Sequence, residues 1–558
     1  MRFRLVSFLA LSGMAASCGG SDSSSDQPPT PIGPDTTVDA GPAVVTPQSD
    51  YLIVAAGTLS ASAERFKAYR ASPAGGGHKV ALSLVPSIVG GEKDAALAVT
   101  KIRDHVKAHY DVRDTQKPFF VLIVGDAVAG APLDNAHVPS AQYFEPFDGS
   151  TVATDNLYAD MDGDHIPDLA VGRIPLATDA EVDVVFEKTT RYESTYEVGN
   201  WNRRLNLFAS TSGFGELIDA QIETLVFAIV EDIPYDYDIT LTYAKQTSPY
   251  VYVPEKFSDM VYDRLNQGSL MMAYVGHGNT DSFADLVWNG QSFPILNTQH
   301  LGRIDAVHKP PLLTLIACLT GAFASGDSVS EQILRSKNGP VGVLSSTEIS
   351  HPYPNAIFIR ELAQGLATVG DATAGELFVG AKRRMVSTND ALRQSIDTQV
   401  AAFVGVDHQV ALKRSHQYMY TLFGDPAARI AYPKAKAKVT AAAAHVAPGA
   451  DVPVTATFAG LGKGQARVTL EVKRSTISGL IAAVPADGDA TRDAVIAANY
   501  ATANNRVIVE KTAAHDGAAL AATTLTVPAN AAPGDYYIKV YADDGKLDAL
   551  GSTKITVP

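Results

Sequence analysis

Short apolar runs that alternate with helix-patterned segments constrain the fold of this 558-residue chain more than any other feature. Tyr51–Ala55, Val80–Val85 and Phe119–Val124 are short and apolar, which is typical of buried strands. Between the second and third runs, Asp94–Tyr110 carries apolar residues at helical spacing. This order predicts βαβ units and a mainly parallel sheet.

The same alternation returns in the next part of the chain. Helix-patterned segments separate further strand-like runs at Leu205–Ala209, Ser269–Gly276, Leu312–Ala317 and Val341–Ser345. We therefore predict two α/β subdomains, residues 49–195 and 196–432. The second ends shortly after Phe423-Gly-Asp-Pro-Ala427.

Residues 433–558 have a different composition, in which Ala, Val and Thr dominate. Apolar residues alternate with polar ones in Val452–Phe458, Ala466–Val472 and Tyr536–Tyr541. This pattern predicts a β-sandwich of immunoglobulin type, although the cysteine pair of antibody domains is missing.

The N-terminus has the features of an export signal. Arg2 and Arg4 precede the apolar run Leu5–Met14, which is too short to span a bilayer, and Ala15-Ala16-Ser17 leads to Cys18. This ending resembles the lipobox of bacterial lipoproteins, apart from the small Ala15. We predict a signal peptide at 1–17, lipidation of Cys18 and a disordered tether at 18–48. The alternative is an ordinary signal peptide with an incidental cysteine.

Charge and cysteine content narrow the classes of function. The net charge is −15 and no basic face is evident, which argues against a nucleic-acid partner. The chain has two cysteines, Cys18 and Cys318, which argues against a disulfide scaffold, so each cysteine needs its own explanation.

Two reactive residues follow predicted strands. His277 comes after Ser269–Gly276, and Cys318 comes after Leu312–Ala317. Reactive side chains of open parallel sheets lie beyond the carboxyl ends of strands, so these two are expected to share a cleft. A thiolate is a strong nucleophile and an imidazole delivers protons near neutral pH. Taken singly, a cysteine after a strand is usually a small core residue; the joint placement favours catalysis.

At these residues the sequence resembles the gingipain family of caspase-like cysteine peptidases. His-Gly after one strand and Ala-Cys after the next are that family's signature. Further similar segments are Val124-Gly-Asp126, Tyr158–Arg173, Gly339–Thr347 and Phe423-Gly-Asp-Pro426. The resemblance covers about residues 50–558. It implies an α/β catalytic domain of two subdomains followed by an immunoglobulin-like domain.

The resemblance also implies roles for single residues. Cys318 corresponds to the nucleophile and His277 to the general acid/base, while the backbone amides of Gly278 and Cys318 hold the oxyanion. No cofactor is required for this chemistry, and the partners are protein or peptide substrates. The expected location is the cell envelope, with Cys18 as the lipid anchor.

Three departures from the family pattern leave specificity open. The position of the acid that orients the histidine corresponds to Ser212, and Glu216 or Asp219 are possible substitutes. Asp219 also lies near the position that sets preference for a basic P1 side chain. Pro352 or Tyr353 stands where arginine-specific members have a tryptophan. Asp219 and Tyr353 are therefore substrate-pocket candidates. Trp288 is a third candidate because it lies in the loop after His277, with packing as the alternative.

An acidic segment is a candidate metal site. Asp160, Asp162, Asp164 and Asp168 are closely spaced around a glycine, and carboxylates in such a turn bind hard cations. The EF-hand template is incomplete, because its glycine is misplaced and its distal Glu is absent. The segment predicts a structural calcium ion, with a solvated acidic turn as the alternative.

Three functions are compatible with these features. The first is an exported endopeptidase that acts through a thioester. The second is a surface binding or secretion-associated lipoprotein that keeps the fold but cleaves little. Ser212 favours this second function slightly, whereas the intact pair of His277 and Cys318 favours the first more. The third is an adhesin in which the C-terminal sandwich binds the ligand.

Overall fold

The computed structural model describes residues 49–128, 133–145, 149–195, 197–211, 216–296 and 298–558, with backbone alone for 216–222, 369, 402 and 403. The predicted signal peptide, Cys18 and tether lie outside these ranges. Within them, no helix combines the length and apolar content that a membrane crossing requires.

The strands of the α/β region follow the apolar runs of the sequence closely. They are β1 (Tyr51–Ala55), β2 (Val80–Leu84), β3 (Phe120–Val124), β4 (Ala141–Phe144), β5 (Thr151–Thr154), β6 (Ala170–Ile174), β7 (Arg204–Ser210), β8 (Asp238–Ala244), β9 (Met271–Val275), β10 (Asp285–Trp288), β11 (Gln291–Pro294), β12 (Leu312–Ile316), β13 (Gly342–Ser346) and β14 (Tyr420–Phe423). Ten of them form one sheet in the order β2-β1-β3-β6-β14-β13-β12-β9-β7-β8. All neighbours are parallel except β13 and β14, so the mainly parallel sheet is confirmed.

Helices connect the strands of this sheet. They are α1 (Ser60–Ala71), α2 (Val85–Val89), α3 (Ala95–Asp111), α4 (Asp179–Ser194), α5 (Glu216–Asp232), α6 (Phe257–Asn266), α7 (Val329–Leu334), α8 (Pro352–Val369), α9 (Ala374–Ser387), α10 (Ala391–Val404) and α11 (Val406–Met419). Two of these helices begin with a capping box, formed by Ser328 before α7 and by Thr373 before α9.

The central strands are buried on both faces, as expected for a parallel sheet covered by helices. In β9, Met271 and Ala273 pack into one apolar core, whereas Met272 and Tyr274 pack into the other. This explains why the strand is a continuous apolar run rather than an alternation of apolar and polar residues.

The last strand of the α/β region joins its two predicted halves. β14 lies between β13 and β6, so strands of both halves belong to one continuous sheet. Directly after β14, the buried Asp425 carboxylate accepts hydrogen bonds from Arg70 Nε at 2.7 Å and from the Tyr51 hydroxyl at 2.8 Å. Gly172 is required here, because a Cβ at this position would lie 2.4 Å from the carbonyl oxygen of Gly424.

The C-terminal region contains two sheets around one apolar core. Its strands are β15 (Ala435–Lys436), β16 (Lys438–Ala441), β17 (Asp451–Thr457), β18 (Gly464–Val472), β19 (Val507–His515), β20 (Thr523–Thr526), β21 (Gly534–Asp543) and β22 (Asp548–Val557). The sheets have the orders β15-β22-β21-β18-β19 and β16-β17-β20, and Val454 of one sheet shares a core with Leu470 and Ile538 of the other. The two-sheet arrangement agrees with the predicted sandwich; its immunoglobulin type stays a prediction.

An insertion between β18 and β19, residues 473–506, contains helix α12 (Arg492–Asn504), which the strand pattern did not predict. It covers β8, the edge strand of the large sheet. The Asn504 side chain accepts from the Leu241 backbone N–H at 2.8 Å and donates to the Leu241 carbonyl at 2.9 Å. The side-chain amide thus pairs the exposed edge of the sheet as another strand would.

Candidate active site

His277 and Cys318 leave the large sheet side by side. Strands β9 and β12 are adjacent and parallel, with Val275 opposite Ile316, and each reactive residue follows two positions later. Parallel neighbours lie about 5 Å apart, so both residues emerge at the same edge. Cys318 is half-buried and His277 is exposed, so neither is sealed in the interior.

The loops that carry the two residues are in direct contact at Gly278. A Cβ at this position would lie 2.7 Å from Thr320 Cγ2, 2.9 Å from Ala317 Cβ and 3.0 Å from the Cys318 carbonyl oxygen. Only glycine therefore fits beside the cysteine loop. The close approach brings the Gly278 backbone next to the predicted nucleophile, as an oxyanion-binding role for its amide requires.

A sharp turn follows Cys318. Leu319 has φ of 58°, a left-handed conformation that is uncommon for a residue with a side chain. The turn is held by Leu319 N–H, which donates to the Glu348 carbonyl at 3.2 Å, and by Gly321 N–H, which donates to the Ser346 carbonyl at 2.8 Å. Backbone strain of this kind is commonly found at functional sites, where surrounding contacts maintain it.

Two residues that the sequence analysis missed hold the backbone of His277. The Tyr274 hydroxyl lies 2.8 Å from the His277 carbonyl oxygen and 3.1 Å from Ser210 Oγ, and Ser210 Oγ accepts from the His277 N–H at 3.3 Å. Burial raises the pKa of Tyr274 well above its usual range, so its hydroxyl remains a donor. The available signal was that Ser210 ends a strand just as His277 follows one.

The sulfur of Cys318 contacts a residue that was also missed. Ser350 lies between β13 and α8, and its backbone N–H donates to Cys318 Sγ at 3.4 Å. Its hydroxyl oxygen lies 3.9 Å from the same sulfur. The available signal was its position just before the Pro352 that begins a helix, because helix N-termini stabilise thiolates.

The family model for Peptidase family C25 matches residues 45–431, more than half of the chain. The chain belongs to peptidase family C25. This confirms the resemblance to the gingipain family. No curated protein sequence matches the chain.

Solved structures agree with the family in fold. The crystal structure of gingipain R (RgpB), an Arg-specific cysteine proteinase, is 16% identical with a TM-score of 0.50 and covers 92% of this chain and 100% of that one. A structure described as a protease is 16% identical with a TM-score of 0.51, covering 91% and 97%.

The substrate-pocket candidates of this C25-family chain lie in different surroundings. Trp288 is buried in β10, and its indole N–H donates to Asp487 of the C-terminal insertion at 3.2 Å. Tyr353 is buried in the first turn of α8, and its hydroxyl donates to Asp397 at 2.7 Å. Both positions show packing and hydrogen bonding within the protein. A role in substrate binding stays a prediction for each.

The side chains at the positions considered for the acid that orients His277 are not described. Ser212 lies outside the described ranges. Glu216 and Asp219 belong to α5, of which the first turns are described as backbone alone. The orienting acid and the P1 determinant therefore stay predictions.

The acidic loop of the C25-family domain brings three of its four predicted ligands together. Carboxylate oxygens of Asp160, Asp162 and Asp168 all lie within 4.8 Å of one another. Asp164 is outside this group and accepts from the Ile166 N–H at 2.7 Å. Burial, then the charges of Asp162 and Asp160, raise the pKa of Asp168. Oxygen donors of this kind are those that calcium prefers, and the calcium ion stays a prediction.

Proposed function

We propose that this chain is a cysteine endopeptidase with Cys318 as nucleophile and His277 as general acid/base. The observation that carries the proposal is the register of β9 and β12, which delivers both residues to one edge of the sheet. Membership of a cysteine peptidase family supports the same chemistry. The exposure of His277 and the partial exposure of Cys318 leave both within reach of a peptide.

In the proposed reaction, the Cys318 thiolate attacks the carbonyl carbon of the scissile peptide bond. The backbone amides of Gly278 and Cys318 stabilise the oxyanion that forms. Protonated His277 gives its proton to the leaving amine as the carbon–nitrogen bond breaks, which leaves a thioester on Cys318. Neutral His277 then takes a proton from water, whose oxygen attacks the thioester and releases the carboxylic acid and the thiolate.

The proposed setting is the cell envelope, with Cys18 as the lipidated residue and residues 18–48 as a tether. The substrates are proteins or peptides, and Asp219 is the proposed determinant for a basic P1 side chain. Asp160, Asp162 and Asp168 are proposed to hold a structural calcium ion, because their converging carboxylates repel one another without a cation.

A second candidate function is a surface binding or secretion-associated protein with little activity. It is favoured by Ser212, which stands where the family has an acidic residue beside the histidine. This alternative predicts that the folded wild-type protein reacts with thiol probes but cleaves no member of a mixed peptide library, with or without calcium and reductant.

The deciding experiment compares wild type with Cys318→Ala on that library and with a thiol-directed probe. We expect the substitution to abolish cleavage and to remove labelling of the peptide that contains residue 318. His300→Ala replaces an exposed histidine elsewhere and serves as the matched control with unchanged activity. Cleavage by Cys318→Ala at the wild-type rate would eliminate Cys318 as nucleophile.

A further inference from the structure

A hydrogen-bonded group of side chains lies next to the Cys318 sulfur and takes no part in the proposed reaction. It begins at Ser350, whose backbone N–H and hydroxyl both face the sulfur at 3.4 and 3.9 Å. The Ser350 carbonyl oxygen, at 3.7 Å, accepts from the protonated thiol. The shorter N–H contact favours the ionised sulfur, because a hydrogen bond donated to a charged group stabilises the charged form.

The hydrogen bonds behind the Ser350 hydroxyl run in one direction. The Tyr420 hydroxyl donates to Asn355 Oδ1 at 2.7 Å, and Asn355 Nδ2 donates to Ser350 Oγ at 2.8 Å. Ser350 Oγ accepts from Asn355, and its own proton has two acceptors within reach: Cys318 Sγ at 3.9 Å and the Tyr420 hydroxyl. Burial raises the pKa of Tyr420 well above its usual range, so this tyrosine stays protonated as the first donor.

The backbone beside Ser350 is fixed by a buried histidine. His351 N–H donates to His416 Nε2 at 2.9 Å, and His416 Nδ1–H donates to the Leu412 carbonyl at 2.8 Å. Burial, together with the neighbouring His351, lowers the pKa of His416 to about 3. His416 therefore stays neutral at physiological pH and remains an acceptor, which holds the segment that presents the Ser350 N–H to the sulfur.

This segment also begins a long helix. His351 is the N-cap residue of α8, which has 18 residues, and Ser350 immediately precedes it. The positive end of a helix dipole favours a nearby anion. The dipole and the Ser350 N–H therefore act on the sulfur in the same sense, and a proton donated to the sulfur by the Ser350 hydroxyl would add to them.

We propose that Ser350, positioned by Asn355, Tyr420 and His416, keeps Cys318 in the thiolate form at neutral pH. The inference rests on the proposed function, since only a nucleophilic cysteine needs a thiolate. Ser350 acts on the sulfur directly, and the other three are positioning residues. The state of the sulfur is measurable without peptide cleavage, so the two proposals fail separately.

Other titratable groups lie near Cys318 and are separated from the effect of Ser350 as follows. Burial keeps Tyr274 of β9 and Tyr420 of β14 protonated, and it lowers the pKa of His351 to about 4. The remaining groups are His277, on the neighbouring loop, and Glu348, whose carboxylate accepts from the Ile349 N–H at 2.9 Å. Repeating the measurement in a His277→Ala background removes the histidine from the comparison.

The test is the pH profile of iodoacetamide alkylation at Cys318 in the full chain, read by mass spectrometry of the peptide that contains residue 318. We expect the wild-type midpoint to lie below about 8.5, the value of an ordinary cysteine. Ser350→Ala and Tyr420→Phe should each raise the midpoint, by about one pH unit for Ser350→Ala, or about tenfold slower alkylation at pH 6. Ser350→Thr keeps the hydroxyl and should restore the midpoint.

Tyr158→Phe is the matched control, because it removes a buried hydroxyl that donates to the Pro139 carbonyl, away from the sulfur. Its midpoint should equal that of wild type. A wild-type midpoint at the ordinary value, or a downward shift in Ser350→Ala, overturns the inference and leaves the proposed function standing. If Tyr420→Phe loses the fold, as judged by circular dichroism, Ser350→Ala and Ser350→Thr still decide the result.

Discussion

The two reactive residues are supported in opposite ways. Cys318 is half-buried, and its sulfur contacts Ser350 from a segment 32 residues away in the chain. His277 is exposed, and the contacts described around it from Tyr274 and Ser210 go to its backbone. The described contacts of Ser350 thus reach the sulfur of Cys318, whereas those of Tyr274 and Ser210 position the backbone of His277.

Replacing His277 by alanine should have the largest effect, because it should reduce peptidase activity while leaving the alkylation of Cys318 intact. Activity should fall about a thousandfold, because general acid/base catalysis commonly contributes a factor of that order. Alkylation of Cys318 should persist, since the Ser350 contacts are untouched. Peptide hydrolysis and iodoacetamide labelling, measured on the same sample, check both parts. Loss of labelling together with activity would contradict independent support of the cysteine.

Gly278→Ala should disrupt the contact between the loop that carries His277 and the loop that carries Cys318. The added methyl group would lie 3.0 Å or closer to three atoms of the cysteine loop, so one loop must move. We expect about a hundredfold loss of kcat, because small displacements of reacting groups carry losses of that size. Gly290→Ala, in the hairpin turn where nothing lies within 4 Å, tests whether any glycine loss has this effect, although its φ of 82° adds local strain.

Tyr274→Phe tests the contacts that position His277 without changing those of the Cys318 sulfur. It removes the donor to the His277 carbonyl and to Ser210 while keeping the buried ring. About tenfold lower kcat is expected from a looser histidine, with KM and the alkylation profile of Cys318 unchanged. A shifted alkylation midpoint would show that Tyr274 also influences the ionisation of Cys318.

Calcium binding at the acidic loop should have the smallest effect, an increase in thermal stability, because the loop is distant from His277 and Cys318. Calcium should raise the thermal midpoint of the wild type by about 3 °C, as for a ligand bound only to the folded state. Asp162→Asn should remove this rise, whereas Asp164→Asn should keep it, because Asp164 lies outside the converging group. Equal responses of the two variants would contradict the site.

Much of the central fold was predictable from local pattern. The runs at Tyr51–Ala55 and Leu312–Ala317 became β1 and β12 with bounds that differ by at most one residue, because a buried parallel strand must be apolar throughout. Helix α12 was missed, since its alanine-rich sequence lies inside a region of strand alternation. The short hairpin of β10 and β11 was missed because it has no long apolar run.

The candidate site divides in the same way. The sequence predicted that His277, Gly278 and Cys318 lie together, because His277 and Cys318 each follow a predicted strand and Gly278 is next to His277. Ser210 and Ser350 were missed, since a serine in a turn has many ordinary roles and its partner lies far along the chain. The acidic loop was found as a group, but its members could not be separated, because the direction of each carboxylate depends on the turn.

The sequence by itself determined the order of strands and helices, the change of composition at residue 433 and the pair of reactive residues at strand ends. These follow from burial and chain periodicity, which act over a few neighbouring residues. Tertiary structure alone decided that β14 joins both halves into one sheet and that Ser350 and Tyr420 reach the cysteine. Such contacts depend on how whole helices and strands pack together, and the local sequence does not determine the distance or orientation between elements.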